Sequence, residues 1–326
     1  MNSIALSALS FIFVGITTVL IENLLIPRLS SRMSQPIYKE GPAWHMSKSG
    51  TPTMGGLAFL ISITVCIIPL SVLLIFSGEK RIAYSLIISL LFCIGNSVIG
   101  IVDDFTKIRK RENAGLTPTQ KLIFQFALSI IFLMARRHFL EDGTSISIKQ
   151  LNIDLGIFYY PLAILILLGI INCANLTDGV DGLASSVALT VGGAFLIIGA
   201  STPEVSILSS VMMGGAAAFL IFNANPAKIF MGDTGSLFLG ALSACLAFSY
   251  RNPFIIILVG GVYVIEGMSV IIQVLVYKAT GKRVFKMAPL HHHLEKCKIA
   301  EGHICAIAVG VTILLSAIVI FALDIL

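Results

Sequence analysis

Ten apolar runs, each near the 17–25 residues that a bilayer-crossing helix needs, divide this chain and leave only short polar connections between them. They fall near residues 4–25, 55–76, 82–102, 120–138, 157–174, 182–200, 206–222, 235–250, 253–277 and 304–324. In lipid every backbone amide must find its partner within its own segment, so runs of this length fold as helices. Composition agrees: 56% of the 326 residues are apolar, 12% are charged, and the mean hydropathy is +0.95. A soluble domain carries about twice that charged fraction. No polar block is long enough to form a separate soluble unit. The expectation is an all-α polytopic membrane protein, one domain over residues 1–326 with about ten transmembrane helices. The first run opens close to Met1 without a basic leader or a small-residue cleavage site, so it is expected to be a retained span. The run at 253–277 holds Gly260, Gly261, Gly267 and the acidic Glu266, which predicts a kink or break.

Loop charge sets the orientation. Of the 22 Lys and Arg residues, sixteen lie in loops that follow odd-numbered runs and six lie on the other side. The positive-inside rule then places the odd loops in the cytoplasm and both termini outside. A net charge of +5 spread over short loops is a topology signal, and no nucleic-acid partner is expected. Six scattered cysteines with no CxxC pair read as buried thiols. On the outer side, residues 144–156 alternate apolar and polar, which predicts a short periplasmic β-hairpin. The absence of an internal repeat argues against a transporter built from paired halves.

The chemistry is signalled by where the scarce acids sit. Five of the eight aspartates (Asp103, Asp104, Asp178, Asp181 and Asp233) fall at cytoplasmic ends of spans, and so do five of the six histidines. Asp103 and Asp104 are adjacent, and adjacent carboxylates repel unless a cation or partner stands by. Lys107 follows Asp103 by one helical turn. An ordinary i,i+4 pair and a site for a divalent cation or phosphate both fit this cluster. Asn172 to Gly182 holds two Asp-Gly pairs with Asn175, either a turn or a loop suited to a nucleotide base or ribose. Asn223 to Ser236 places Asp233 and Thr234 just before the eighth run, where each is either a helix N-cap or part of a metal and phosphate site. Phe230 in the same stretch is either a base-stacking ring or an interfacial aromatic. His291, His292 and His293 are consecutive, so they cannot all face one point and are expected to serve different partners. Binding phosphate or moving protons suits them better than zinc. The stretch Lys48 to Gly56 combines hydroxyls with Gly-Gly but lacks the order of a P-loop. Acids, amides, imidazoles and lysines on one membrane face suit metal-assisted phosphoryl transfer from a soluble anionic donor to a lipid acceptor.

The segments KSGTPTMGG, GIVDDFTK, NLTDGVDGLA, NANPAKIFMGDTGS and APLHHHLE, in that order, cover essentially the whole chain. Together they resemble the phospho-N-acetylmuramoyl-pentapeptide transferase branch of the polyprenyl-phosphate N-acetylhexosamine-1-phosphate transferases. That resemblance implies ten transmembrane helices with a bent ninth, a homodimer, and a cytoplasmic active site in the bacterial plasma membrane. The implied reaction joins UDP-MurNAc-pentapeptide to undecaprenyl phosphate with Mg²⁺, giving lipid I and UMP. It further implies catalytic roles for Asp103, Asp104, Asp233, Lys107, Lys121, His291, His292 and His293. Lys48, Thr53, Asn175, Asp178, Asp181, Asn223, Phe230 and Gly232 are implied to contact the UDP-sugar. Asp233 is the implied Mg²⁺ ligand, with Asp178 as a second candidate. The chain departs from the family pattern at Leu294 and around Gly302 and His303, which bears on contacts to the sugar and peptide. The expected mechanism is direct attack by the lipid phosphate, with Asp103 deprotonating or orienting it. A two-step route through an aspartyl phosphate is the alternative. Rival functions are a sister transferase using UDP-GlcNAc and a lipid transporter, the latter marked by intramembrane charge, for which Glu266 alone stands out.

Overall fold

The computed structural model describes residues 3–30, 50–110, 115–148 and 151–325. Eight of its helices are long and apolar enough to cross a membrane, by length and composition. These are α1 (Ser3–Ser30), α2 (Gly56–Phe76), α3 (Lys80–Lys110), α4 (Pro118–Leu140), α5 (Tyr159–Thr177), α7 (Pro203–Asn223), α10 (Gly261–Thr280) and α12 (Glu301–Ala322). The run expected at 182–200 forms α6 (Leu183–Ile198), whose 16 residues make it about 24 Å long. The run expected at 235–250 forms α8 (Gly232–Ser249), whose first turn carries Asp233. The run at 253–277 breaks as expected, at Gly260, between α9 (Ile256–Val259) and α10. A short α11 (Leu290–Lys296) carries the three histidines.

α8 is the axis of the bundle. Almost every one of its residues is buried, and it packs against α3, α5, α2 and α7. A helix apolar on all sides belongs inside a bundle rather than at its lipid face. The outer helices instead expose large apolar side chains, among them Leu9 and Ile16 on α1, Phe76 on α2, Ile131 on α4 and Leu314 on α12. That surface belongs in hydrocarbon, and the protein is a multi-pass membrane protein. The α4 terminus is set by a capping box: the Thr117 hydroxyl accepts from the Gln120 N–H while Gln120 Oε1 accepts from the Thr117 N–H. This fixes the rotation of Lys121 in the first turn.

The expected hairpin is present. β1 (Ser145–Ile148) pairs antiparallel with β2 (Leu151–Asp154), in the register Ser145 to Asp154 and Ile148 to Leu151. Nearby, Arg136 at the end of α4 is buried, ion-paired with Asp142 at 2.7 Å and donating to the Phe248 carbonyl at 2.8 Å. That contact ties the C-terminal ends of α4 and α8, opposite the end where the candidate site lies.

Candidate active site

Five segments meet where α8 begins. The last turns of α3 bring Asp103, Asp104 and Lys107, α4 brings Lys121, α5 brings Asn175, the loop after α5 brings Asp178, and α8 brings Asp233. The segment at 50–56 is laced to 230–231: the Phe230 N–H donates to the Pro52 carbonyl, Gly55 to Phe230, and Gly56 to Met231, at 2.8–3.1 Å. Thr53 and the half-buried Phe230 are thereby set beside Gly232.

The first four N–H groups of a helix lack partners within it, and Met231 at the N-cap of α8 offers no side-chain acceptor. Asp104 supplies it from another helix. One of its oxygens accepts from the Asp233 N–H at 3.1 Å, and the other accepts from the Thr234 N–H at 2.9 Å and the Thr234 hydroxyl at 2.7 Å. A carboxylate at a helix N-terminus is also favoured by the dipole. The capping role open to Asp233 and Thr234 in the sequence therefore belongs to Asp104, and both residues lie inside the first turn. Gly232 has φ +72°, and a Cβ there would sit 2.6 Å from Asp104 Oδ2 and 2.9 Å from Thr53 Oγ1.

Released from capping, the Asp233 carboxylate faces the lysines. Lys121 Nζ lies 2.5 Å from Asp233 Oδ2 and 3.1 Å from Asp103 Oδ2, and Lys107 Nζ lies 3.3 Å and 2.6 Å from the same two atoms. Two ammonium groups thus bridge two carboxylates across three helices. The i,i+4 pair of Asp103 and Lys107 is formed, and the same ammonium group also reaches Asp233. Asp103 also accepts the Leu116 N–H at 2.7 Å, which holds the start of α4 against α3.

One oxygen each of Asp103, Asp104 and Asp233 lie within 4.8 Å of one another. Among the described residues this is the only such group of acid, imidazole or thiol ligands. Around it, among the described residues, the acids Asp103, Asp104, Asp178 and Asp233 outnumber the bases Lys107 and Lys121. Asp178 is half-buried, and its carboxylate accepts no hydrogen bond among the described residues. Burial, reinforced by Asp233, Asp104 and Asp181, pushes its carboxyl well above the usual range. Hard carboxylate oxygens with surplus negative charge fit a divalent cation that shares its coordination with phosphate.

Other expected site residues act as supports. Asn175 donates to Asp233 Oδ1 at 3.2 Å and to the Ser236 hydroxyl at 2.7 Å, steadying Asp233. Asn223 is buried and takes the Gly182 N–H on its oxygen while donating to the Ile229 carbonyl, so it joins two loops. Asp181 accepts from Asn225 and from the Ala227 N–H, joining the same loops. Lys48 lies outside the described residues.

The three histidines do serve three partners. His291 is fully buried, and its backbone N–H and Nδ1 face the Glu266 carboxylate at 3.1–3.2 Å. Its Nε2 has no hydrogen-bond partner among the described residues and abuts Gly179, where any Cβ would collide with it. His292 Nδ1 lies 2.6 Å from Glu295, and His293 Nδ1 accepts the Lys286 N–H at 3.1 Å. The intramembrane acid Glu266 is therefore part of the site's frame, a role its sequence position signalled only as an anomaly. Ser236 lies in the NANPAKIFMGDTGS segment with no role expected of it, and its hydroxyl accepts from Asn175 at 2.7 Å. Glu22 on α1 is a further buried acid, whose carboxylate has no hydrogen-bond partner among the described residues; near the end of its apolar run it carries no sequence signal of its own.

The glycosyl transferase family 4 pattern matches residues 85–251, and the phospho-N-acetylmuramoyl-pentapeptide-transferase signature 1 matches residues 48–60. Curated relatives carry the same name. The phospho-N-acetylmuramoyl-pentapeptide-transferase of Halalkalibacterium halodurans is 45% identical over 292 residues, 88% of each chain. One from Clostridium botulinum strain Alaska E43 is 43% identical over 99% of this chain and 98% of its own. That of Bacillus subtilis is 42% identical over 85% of this chain and 86% of its own. The matched span of the family pattern contains every helix end that builds the aspartate and lysine cluster, and on these grounds the chain belongs to the phospho-N-acetylmuramoyl-pentapeptide-transferase family.

Proposed function

We propose that this protein transfers phospho-MurNAc-pentapeptide from UDP-MurNAc-pentapeptide to undecaprenyl phosphate, forming lipid I and releasing UMP. The observation that carries the reading is the arrangement of Asp103, Asp104 and Asp233 with Lys107 and Lys121 at one end of a membrane bundle. An oxygen of the lipid phosphate bonds to the sugar-bearing phosphorus as the bond from that phosphorus to the oxygen of UMP breaks. UMP leaves with the electron pair. The two ammonium groups stand where they can neutralise charge on the reacting phosphates.

Asp233 and Asp103 would hold Mg²⁺, with Asp178 in reserve, and the bound ion would supply charge neutralisation on the diphosphate. Asp103 is engaged by two ammonium groups and a backbone N–H, so orienting the lysines and acceptor suits it better than removing a proton. Asp104 is committed to α8. Thr53, Asp178, Phe230 and Gly232 border the space for the nucleotide. Basic residues at this end, among them Arg109 and Lys110, support a cytoplasmic site, where a soluble UDP-sugar is accessible. The test is UMP release from UDP-MurNAc-pentapeptide that requires both undecaprenyl phosphate and Mg²⁺. Turnover of UDP-GlcNAc in place of that donor would move the protein to the sister activity.

A further inference from the structure

We infer that a basic cavity beside the nucleotide loop is the binding site for the carboxylates of the donor's peptide. This rests on the donor proposed above and extends it to the part of that molecule the catalytic cluster does not touch.

The cavity has a volume of about 920 Å³ and lies between the 225 region, α11 and the start of α12. Lys286, Lys296 and Lys298 line it together with Asn225, Glu295 and Glu301. Its two acids are already engaged. Glu295 is buried with an oxygen 2.6 Å from His292 Nδ1, and Glu301 accepts the Asp181 N–H at 3.2 Å. The three lysines are exposed and make no ion pair among the described residues. Three ammonium groups therefore line one concavity with two carboxylates that are each held by another partner, so lysines outnumber acids there. Membrane topology asks for basic residues in such a loop, but not that they gather round a cavity of ligand size.

Position identifies the occupant. Asn225 donates to Asp181 Oδ2 at 3.2 Å, so the cavity wall is hydrogen-bonded directly to the loop that carries Asp178. A ligand held at that loop lies beside the cavity wall. In UDP-MurNAc-pentapeptide the lactyl carboxyl of the sugar is consumed in the amide to the peptide, so the peptide necessarily ends in a free carboxylate. Exposed pairs between such a carboxylate and lysine are individually weak and screened by salt, and three of them together amount to about tenfold in binding.

The test is the combined Lys286→Gln, Lys296→Gln and Lys298→Gln variant, assayed by UMP release. The KM for UDP-MurNAc-pentapeptide should rise about tenfold, while the inhibition constant of peptide-free UDP-MurNAc, used as a competitor, should move less than twofold. Single variants, each expected to shift KM about twofold, replace the triple variant if it does not purify as folded protein. An unchanged KM overturns the inference. So does a parallel rise in KM and in the UDP-MurNAc inhibition constant, which would assign the lysines to the nucleotide or sugar. A shift confined to the KM for undecaprenyl phosphate would assign them to a lipid headgroup and overturn it as well. Failure of the unaltered protein to release UMP from UDP-MurNAc-pentapeptide would instead sink the proposed function, and that outcome is read before any variant is made.

Discussion

Asp104 on α3 caps α8 through Thr234, accepting both its N–H at 2.9 Å and its hydroxyl at 2.7 Å on a single oxygen. One acid of the adjacent pair thereby becomes a structural clamp, and the other stays with the lysines. The same contact orients the first turn of α8 and so aims Asp233.

Asp104→Asn keeps an acceptor but loses charge at the helix terminus and one acceptor oxygen. Loss of a cap costs about 1 kcal/mol, up to 2. Thermal unfolding should show that loss together with a fall in activity, because Asp233 is displaced. Thr234→Val removes only the hydroxyl bond, a change of about 1 kcal/mol, and should lower stability while leaving most of the turnover.

Asp233→Asn should abolish UMP release while the protein stays folded. It should also remove the stabilisation that Mg²⁺ gives the unaltered protein, since a cation that binds only the folded state raises Tm by mass action. Substantial remaining turnover, or an undiminished Mg²⁺ shift in Tm, would take Asp233 out of the metal role.

Asp178 is a liability in the absence of a cation. Its folded pKa lies well above the unfolded value because burial and neighbouring acids disfavour its charge, so ionisation costs stability that grows as pH rises from the unfolded pKa toward the folded one. Asp178→Asn should therefore raise the Tm of metal-free protein at pH 7.5 by a few degrees. The difference should shrink as the pH is lowered toward 5. Activity should fall, the cost of replacing a residue kept for function.

Gly232→Ala places a methyl group 2.6 Å from Asp104 Oδ2 at a backbone with φ +72°. The conformational cost alone is about 1 kcal/mol, and the displaced clamp should add to it. Scanning calorimetry should show destabilisation well beyond that of Gly302→Ala, where a Cβ meets nothing within 4 Å.

Glu266→Gln should act through His291. A carboxylate only accepts, so Glu266 requires a hydrogen on His291 Nδ1, while Nε2 abuts Gly179 without a hydrogen-bond partner among the described residues. The amide also offers an NH₂ donor, which relaxes that requirement. The histidine ¹⁵N spectrum should show the altered tautomer while the helical circular dichroism is retained. An unchanged ¹⁵N signature would remove Glu266 from this role.

Much of this protein was legible before any coordinates. The apolar runs placed the helices because lipid leaves the backbone no other way to satisfy its amides. Gly260 marked the break after α9, and the alternation at 144–156 marked the hairpin. The cluster of aspartates was legible as chemistry because acids are scarce here and gather on one face. Its internal division of labour was not. Asp103 and Asp104 are neighbours of the same type, and only the packing of α3 on α8, 129 residues apart in sequence, makes one a cap and the other a partner of Lys107 and Lys121. For Asn223 the family resemblance implied a contact to the UDP-sugar, and only the fold shows that its amide also joins two loops. Local pattern determines which segments become helices and which face carries charge, since those depend on neighbours along the chain. Which oxygen meets which nitrogen depends on neighbours across space, and tertiary structure alone decides that.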